Sequence, residues 1–162
     1  MDDCGSSALR RLLTEHAGDV LATHAQHGDA TAIIDPDCLL DVLEFLRDDS
    51  GCEFEMLTDL TAVDHLGEEP RFEVVYHLKS PKLGHRLRLK ARVSESVPVI
   101  SSAVALFASA NWMEREVFDL YGVRFEGHPR LERILLYDEF EGHPLRKDYP
   151  KEKRQPLVGP RN

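Results

Sequence analysis

The chain opens on a helical rhythm. Leu9, Leu12, Leu13 and His16 recur at i, i+3, i+4 and i+7 after Ser6 and Ser7, with Gly18 following, which predicts a short amphipathic helix. Two weaker strand signals follow, around Val20 to His24 and Thr31 to Ile34. Asp35 is placed as an N-cap with Pro36 at the first helical position, and the stripe Leu39, Val42, Leu43 and Leu46 predicts a second helix ending near Ser50-Gly51. From Glu53 the period changes to two. Phe54, Met56, Leu60 and Ala62 fall on one face and Glu53, Glu55 and Asp59 on the other. Phe72, Val74, Tyr76 and Leu78 alternate likewise, as do Leu87, Leu89, Ala91 and Val93 after a turn at Pro81 to Gly84. These are strands of a sheet covered on one side.

Helical periodicity returns after Ser101. Asn111 is placed to cap a helix whose third residue, Glu114, reaches back to it, and Gly122 ends it. Met113, Val117, Leu120 and Tyr121 form its core stripe, while Trp112 and Phe118 point away on opposite sides. A helix apolar nearly all round suits burial between the sheet and something else. Beyond Asp138 no long periodic run remains, and turn and breaker residues follow one another to Pro160. Such a segment buries too little apolar surface to order itself, so it is expected to lie along a partner. The predicted architecture is one α+β domain over residues 1–137, a mixed or antiparallel sheet with helices on one face, plus an extended docking segment over residues 138–162.

Length and composition agree with one folded domain: 162 residues, 42% hydrophobic and 30% charged. The net charge of -9 lies in the body, since residues 126–162 hold 8 Lys and Arg against 7 Asp and Glu. Such a body repels phosphate backbones, so nucleic acid is not an expected partner. Three cysteines, Cys4, Cys38 and Cys52, lack C-x-x-C spacing, which argues against a disulfide framework, a zinc site or a cysteine-ligated cluster and favours a reducing compartment. The N-terminus carries no basic region followed by an apolar run, so no export or import signal is read. Ser96 to Met113 is 18 residues without a charge, but Pro98, four serines and Asn111 make it a buried loop and helix rather than a membrane span.

Chemistry-bearing patterns are few. Glycine-rich phosphate loops, G-x-S-x-G elbows and H-E-x-x-H pairs are absent. Gly127-His128-Pro129 and Gly142-His143-Pro144 place two imidazoles near Asp138, Glu139, Glu141 and Asp148, which would suit a small metal-dependent enzyme; the turn chemistry of Gly and Pro accounts for the same residues. Arg86, Arg88, Lys90 and Arg92 form a basic ladder that a polyanion would fit, although Glu53, Glu55, Asp59 and Glu73 are placed to balance it across strands. Glu114, Arg115 and Glu116 diverge by about 100° per residue and cannot converge on one reacting atom. Arg115 and Asp119, at i and i+4, predict an ion pair. His24, His27, His65, His77 and His85 have no ligand-like spacing and are expected at the surface.

The run Ala110-Asn111-Trp112-Met113-Glu114-Arg115-Glu116-Val117-Phe118-Asp119-Leu120-Tyr121-Gly122-Val123, then Phe125 to Leu136 and Phe140 to Pro150, resembles the C-type subunit family of respiratory complex I, the proton-translocating NADH:quinone oxidoreductase. Asp59 to Asp64 resembles the family's middle strand. The resemblance implies a structural subunit of the hydrophilic arm that binds no cofactor itself, the FMN and iron–sulfur clusters lying in other subunits. It implies packing on the D-type subunit near the quinone site, with the B-type and I-type subunits as neighbours. It also implies a peripheral place on the cytoplasmic side of the bacterial inner membrane, held there only through partners. Glu114, Arg115, Glu116 and Asp119 carry the family signature, and His128, Arg130, Arg133, His143, Arg146 and Lys147 are the expected partner contacts. Equivalent subunits of a membrane-bound hydrogenase, or of a ferredoxin-driven or F420H2 dehydrogenase complex, fit the same resemblance.

Overall fold

The structure is a computed structural model that describes residues 4–155. The terminal reading at Met1 to Asp3 and the breakers Pro156, Gly159 and Pro160 lie outside the described residues, as do the side chains of Cys4, Ser6 and His27. Helix α1 spans Cys4–Glu15, followed by strands β1 (Val20–His24) and β2 (Thr31–Ile34). A 3-10 turn at Pro36–Cys38 leads into α2 (Leu39–Asp48), then β3 (Met56–Asp64), β4 (Phe72–Lys79) and β5 (Arg86–Val93). A short β6 (Val99–Ser101), α3 (Ala110–Tyr121) and β7 (Arg124–Glu126) complete the regular elements.

The main sheet is mixed, in the order β1-β2-β5-β4-β3. β2 and β5 run parallel and the other neighbours antiparallel, and β6 pairs with β7 in a separate parallel ribbon. Period-two alternation decides which face is covered. Leu87, Leu89, Ala91 and Val93 of β5 and Phe72, Val74, Tyr76 and Leu78 of β4 are buried, and α1, α2 and α3 supply Ala8, Leu12, Leu39, Val42, Leu43, Leu46 and Val117 against them. The opposite face carries the basic ladder.

Several local expectations shift, each for a physical reason. In α1 the buried pair is Ala8 and Leu12, and Leu13 is turned outward, because the helix meets β5 and α2 about a neighbouring stripe. Asp35 does accept the Asp37 amide at 3.0 Å, but the turn it caps is 3-10 before α2 begins. In β3 a bulge between Leu57 and Asp59 inserts a residue, so Leu57, Leu60 and Ala62 face the core while Met56 is exposed. His85 is buried rather than exposed, its ring 6.3 Å from Phe54. The uncharged stretch 96–113 forms β6, a buried loop through Ala103 and Phe107, and the start of α3; among the described residues no helix is long and apolar enough to cross a membrane.

Central and peripheral apolar positions should respond differently to truncation. Leu89→Ala, at a fully buried site, is expected to cost about 2–5 kcal/mol in urea unfolding. Leu21→Ala, on an exposed edge position, should stay within about 0.5 kcal/mol. Equal effects would contradict the assignment of the core face.

Candidate functional site

From Gly127 to Gln155 the chain contains no helix or strand, and it wraps α3 and the end of the sheet. The anchors are polar. Helix α3 leaves its last carbonyls without intrahelical partners, and this segment meets them. His143 Nδ1 donates to Asp119 O at 2.9 Å, the Leu145 amide to Leu120 O at 3.1 Å, and Arg146 Nε to Tyr121 O at 2.6 Å. Arg146 thereby sets a positive charge at the negative end of the helix dipole, and its guanidinium also lies 4.9 Å over the Phe72 ring. Gly122 ends the helix at φ 76°, and a Cβ there would come within 2.5 Å of His143 Nε2 and 2.6 Å of Arg146 Nη2, so conformation and space both require glycine.

A second anchor is the Arg71 guanidinium, 1% exposed. Its Nε and Nη2 grip Asp64 at 2.8 Å each, and Nη1 meets Glu95 at 2.5 Å. Asp148 of the segment closes the set, at 2.7 Å from Nη2 and 3.2 Å from Nη1. These contacts engage all five guanidinium N–H groups. Asp64 also accepts the Lys147 amide at 2.7 Å. Hydrogen bonding to Arg71 holds the Asp64 carboxyl below the usual carboxylate range despite its burial, and Asp148 is lowered by the same guanidinium.

The signature residues of α3 take structural positions. Glu114 does not cap the helix: it is fully buried, accepting the Ser102 hydroxyl at 2.6 Å and the Ala103 amide at 2.7 Å, and the N-terminus starts at Ala110 with no side-chain cap. Burial pushes its carboxyl up to about 7, against the opposing hydrogen bonds from Ser102 and Ala103. The Tyr76 hydroxyl, near enough to feel the Glu114 charge, is buried with no partner among the described residues. Arg115 and Asp119 do not pair. Arg115 donates to Glu132 O and Arg133 O at 3.1 and 3.2 Å, while Asp119 receives the Ile134, Leu135 and Leu136 amides at 3.1, 2.9 and 2.9 Å and Arg133 at 2.8 Å. Burial would raise the Asp119 carboxyl, but those three amides and Arg133 outweigh it and hold it low. Glu116 is exposed. In the core stripe, Val117 is buried, but Met113, Leu120 and Tyr121 are only half-buried.

The six expected contact residues therefore divide. His128 lies 3.0 Å from Asn111 O through Nε2, and its Nδ1 accepts the Arg130 amide at 3.0 Å; His143, Arg133 and Arg146 are likewise committed to this chain. Arg130, with a side chain 74% exposed, and Lys147 remain at the surface. The segment thus lies against its own domain, held more by hydrogen bonds than by apolar burial. The two imidazoles do not share a metal site: they bind carbonyls of Asn111 and Asp119, eight residues or roughly 12 Å apart along the helix. Among the described residues no group of three or more His, Cys, Asp or Glu is placed to hold a metal ion. Apolar side chains look outward around this wrapped helix: Trp112 is 70% exposed, Leu135 61% and Leu145 49%. That combination, a hydrogen-bonded polar underside and an apolar outer side, suits protein docking.

Nothing in the local spacing marks Arg71 as a hub. By alternation with the inward Phe72 it would face solvent, yet it is buried, with Asp64, Glu95 and, from the segment, Asp148 closed around it.

Comparison with known proteins fits this geometry. The family described as "Respiratory-chain NADH dehydrogenase, 30 Kd subunit" matches residues 32–155. The C-type subunit of NADH-quinone oxidoreductase from Trichlorobacter lovleyi is 46% identical over 155 residues, covering 94% of each chain. Its counterpart from Roseiflexus castenholzii is 46% identical over 144 residues, 89% of this chain and 83% of the relative. Among solved structures, a trypsin-resistant fragment of Nqo5 superposes with TM-score 0.67 at 30% identity, covering 76% of this chain and 99% of that one. A chain of an archaeal membrane-bound sulfane sulfur reductase shares the fold, with TM-score 0.76 at 24% identity over 91% of this chain and 86% of that one.

Two variants test the anchors. Asp148→Asn should leave the body folded but speed tryptic cleavage near Lys147 and Lys151; unchanged cleavage would show that Arg71 does not hold the segment. Glu114 should make stability pH-dependent, because its carboxyl is raised in the folded chain. The stabilisation is present below about pH 4.5 and is lost as pH rises through about 7, roughly 3 kcal/mol in all. Glu114→Gln, which keeps both hydrogen-bond positions, should remove that slope in urea unfolding between pH 5 and 8, and an identical slope in both proteins would refute the assignment.

Proposed function

The chain belongs to the 30 Kd subunit family of respiratory-chain NADH dehydrogenases, and on that premise we propose that it is a cofactor-free scaffold docking on the D-type subunit beside the quinone site. The chain is a peripheral-arm subunit of NADH-quinone oxidoreductase, a hetero-oligomeric complex. In the proposed role its neighbours are the D-type, B-type and I-type subunits, and it lies on the cytoplasmic side of the membrane, held by those partners. Electrons pass through FMN and iron–sulfur clusters elsewhere, and this subunit acts by positioning.

One observation carries the reading: the wrapped α3 surface, where Trp112, Leu135 and Leu145 face outward from a segment whose backbone is pinned from beneath. A surface already ordered before contact loses little conformational entropy on docking. In this reading Trp112, Leu135 and Leu145 are the apolar contacts, and Arg130 and Lys147 the charged ones. His128, Arg133, His143 and Arg146 act through the segment they shape. Fixed buried carboxyl groups at Glu114 and Asp119 keep the helix in register beneath this surface.

The test is purification of the tagged full-length chain from its own membranes in mild detergent, with co-purifying chains identified by mass spectrometry. The wild type should bring down the D-type, B-type and I-type subunits with NADH:quinone activity. Trp112→Asp combined with Leu135→Asp should cut recovered complex and activity together by roughly tenfold or more, while the melting temperature of the isolated chain stays unchanged. Full assembly of that variant would remove the docking surface, and recovery with hydrogenase-type or ferredoxin-linked subunits would reassign the complex.

A further inference from the structure

The face of the sheet away from the helices carries the alternate positions of β4 and β5. Register places Glu73 opposite Arg92, Val75 opposite Lys90, His77 opposite Arg88 and Lys79 opposite Arg86. Toward one end the ladder is neutralised within the chain. Lys90 meets Glu73 at 2.8 Å, and Arg92 meets Glu68 at 2.9 Å and Glu73 at 3.4 Å. Of the acids the sequence offered, only Glu73 contributes; Glu53 pairs with Lys82 instead, and Glu68 and Asp29 supply the rest. Toward the other end the pairing fails. Arg88 reaches Asp29 at 3.0 Å, but neither the Lys79 nor the Arg86 side chain has an ion pair or hydrogen bond among the described residues.

That lack of partners is unfavourable in isolation. Directly opposed strand positions hold their Cβ atoms about 5 Å apart, and like charges there destabilise the sheet. The same residues line a cavity of about 440 Å³ with Asp29, Thr58, Asp59, His77 and Arg88. Burial and the Arg88 charge lower the His77 imidazole, so it stands neutral at neutral pH and offers an N–H rather than a third unpaired cation. Lys79 and Arg86 thus form a cationic pair on a chain whose net charge is -9.

We infer that this end of the open sheet face, built on Lys79 and Arg86, docks an acidic polypeptide segment of another subunit of the same assembly. Two features select a peptide carboxylate. A guanidinium and an ammonium side by side bind a carboxylate through charge-assisted hydrogen bonds. Asp29 and Asp59 flank the cavity, so a continuous phosphate backbone would meet more repulsion than an Asp or Glu side chain seated between Lys79 and Arg86. The proposal rests on the chain being one subunit of a larger complex. It concerns the face opposite α3, and so a contact separate from the one around Trp112.

The test uses the intact complex purified through the tagged chain, with two readouts. Carbodiimide joins a lysine amine to a carboxylate in direct contact without a spacer. Lys79 is expected to link to an Asp or Glu in an acidic stretch of a different subunit. A link only to carboxylates of this chain, a link to a second copy of it, or no link overturns the proposal. The second readout is Lys79→Glu. In the isolated chain the new carboxylate sits opposite Arg86 and should raise the melting temperature, yet recovery of the complex at moderate salt should fall by roughly tenfold. A rise in stability with full assembly overturns the docking site. Failure of the wild type itself to co-purify with other subunits would instead refute the subunit reading, and this proposal with it.

Discussion

The Arg71 guanidinium is the interaction on which the arrangement of the C-terminal half depends. A cation 1% exposed is tolerated only if every donor is met by a carboxylate or carbonyl. Three carboxylates from distant parts of the chain meet that condition: Asp64 at the end of β3, Glu95 after β5 and Asp148 in the last segment. Burial of Arg71 and closure of the segment are therefore one event. Removing the segment would leave two Arg71 N–H groups without the Asp148 acceptor, while removing Arg71 would leave Asp64 buried without its cation.

Helix α3 provides the second constraint, and it is of the same kind. Its final carbonyls and the Asp119 carboxylate need donors, and residues 133–146 supply them as backbone amides, an imidazole and two guanidinium groups. The apolar residues of the segment are consequently not needed inside. Leu135, Tyr137 and Leu145 are left facing out, as is Trp112 of α3. A surface like this follows from a segment held by its polar atoms, and it is the face the proposed docking would use.

The fold was largely legible in the pattern of residues because the sheet obeys one period. β5 alternates without interruption, and α2 follows its stripe. Misreadings fall where that periodicity is broken or overridden. The bulge in β3 reverses Met56, and the approach of α1 to its neighbours selects Ala8 over Leu13. The capping box predicted at Asn111 loses to a stronger demand, the pull of Glu114 into the core by Ser102 and the Ala103 amide. The i,i+4 pair of Arg115 with Asp119 loses to backbone groups 15 or more residues away, which local spacing cannot reveal. The contacts of the last segment with its own domain were hidden for the same reason: its hydrogen bonds join positions up to 83 residues apart.

The proposed scaffold role in NADH-quinone oxidoreductase requires that the last segment take its place on α3 before partners arrive. Amide hydrogen exchange on the isolated full-length chain tests this most directly. The Leu136, Leu145 and Lys147 amides, bound to Asp119, Leu120 and Asp64, should be protected to nearly the level of the sheet. Exchange of all three at unfolded-chain rates, with protection arising only in the assembled complex, would show instead that partners order the segment and that no preformed face is offered to them.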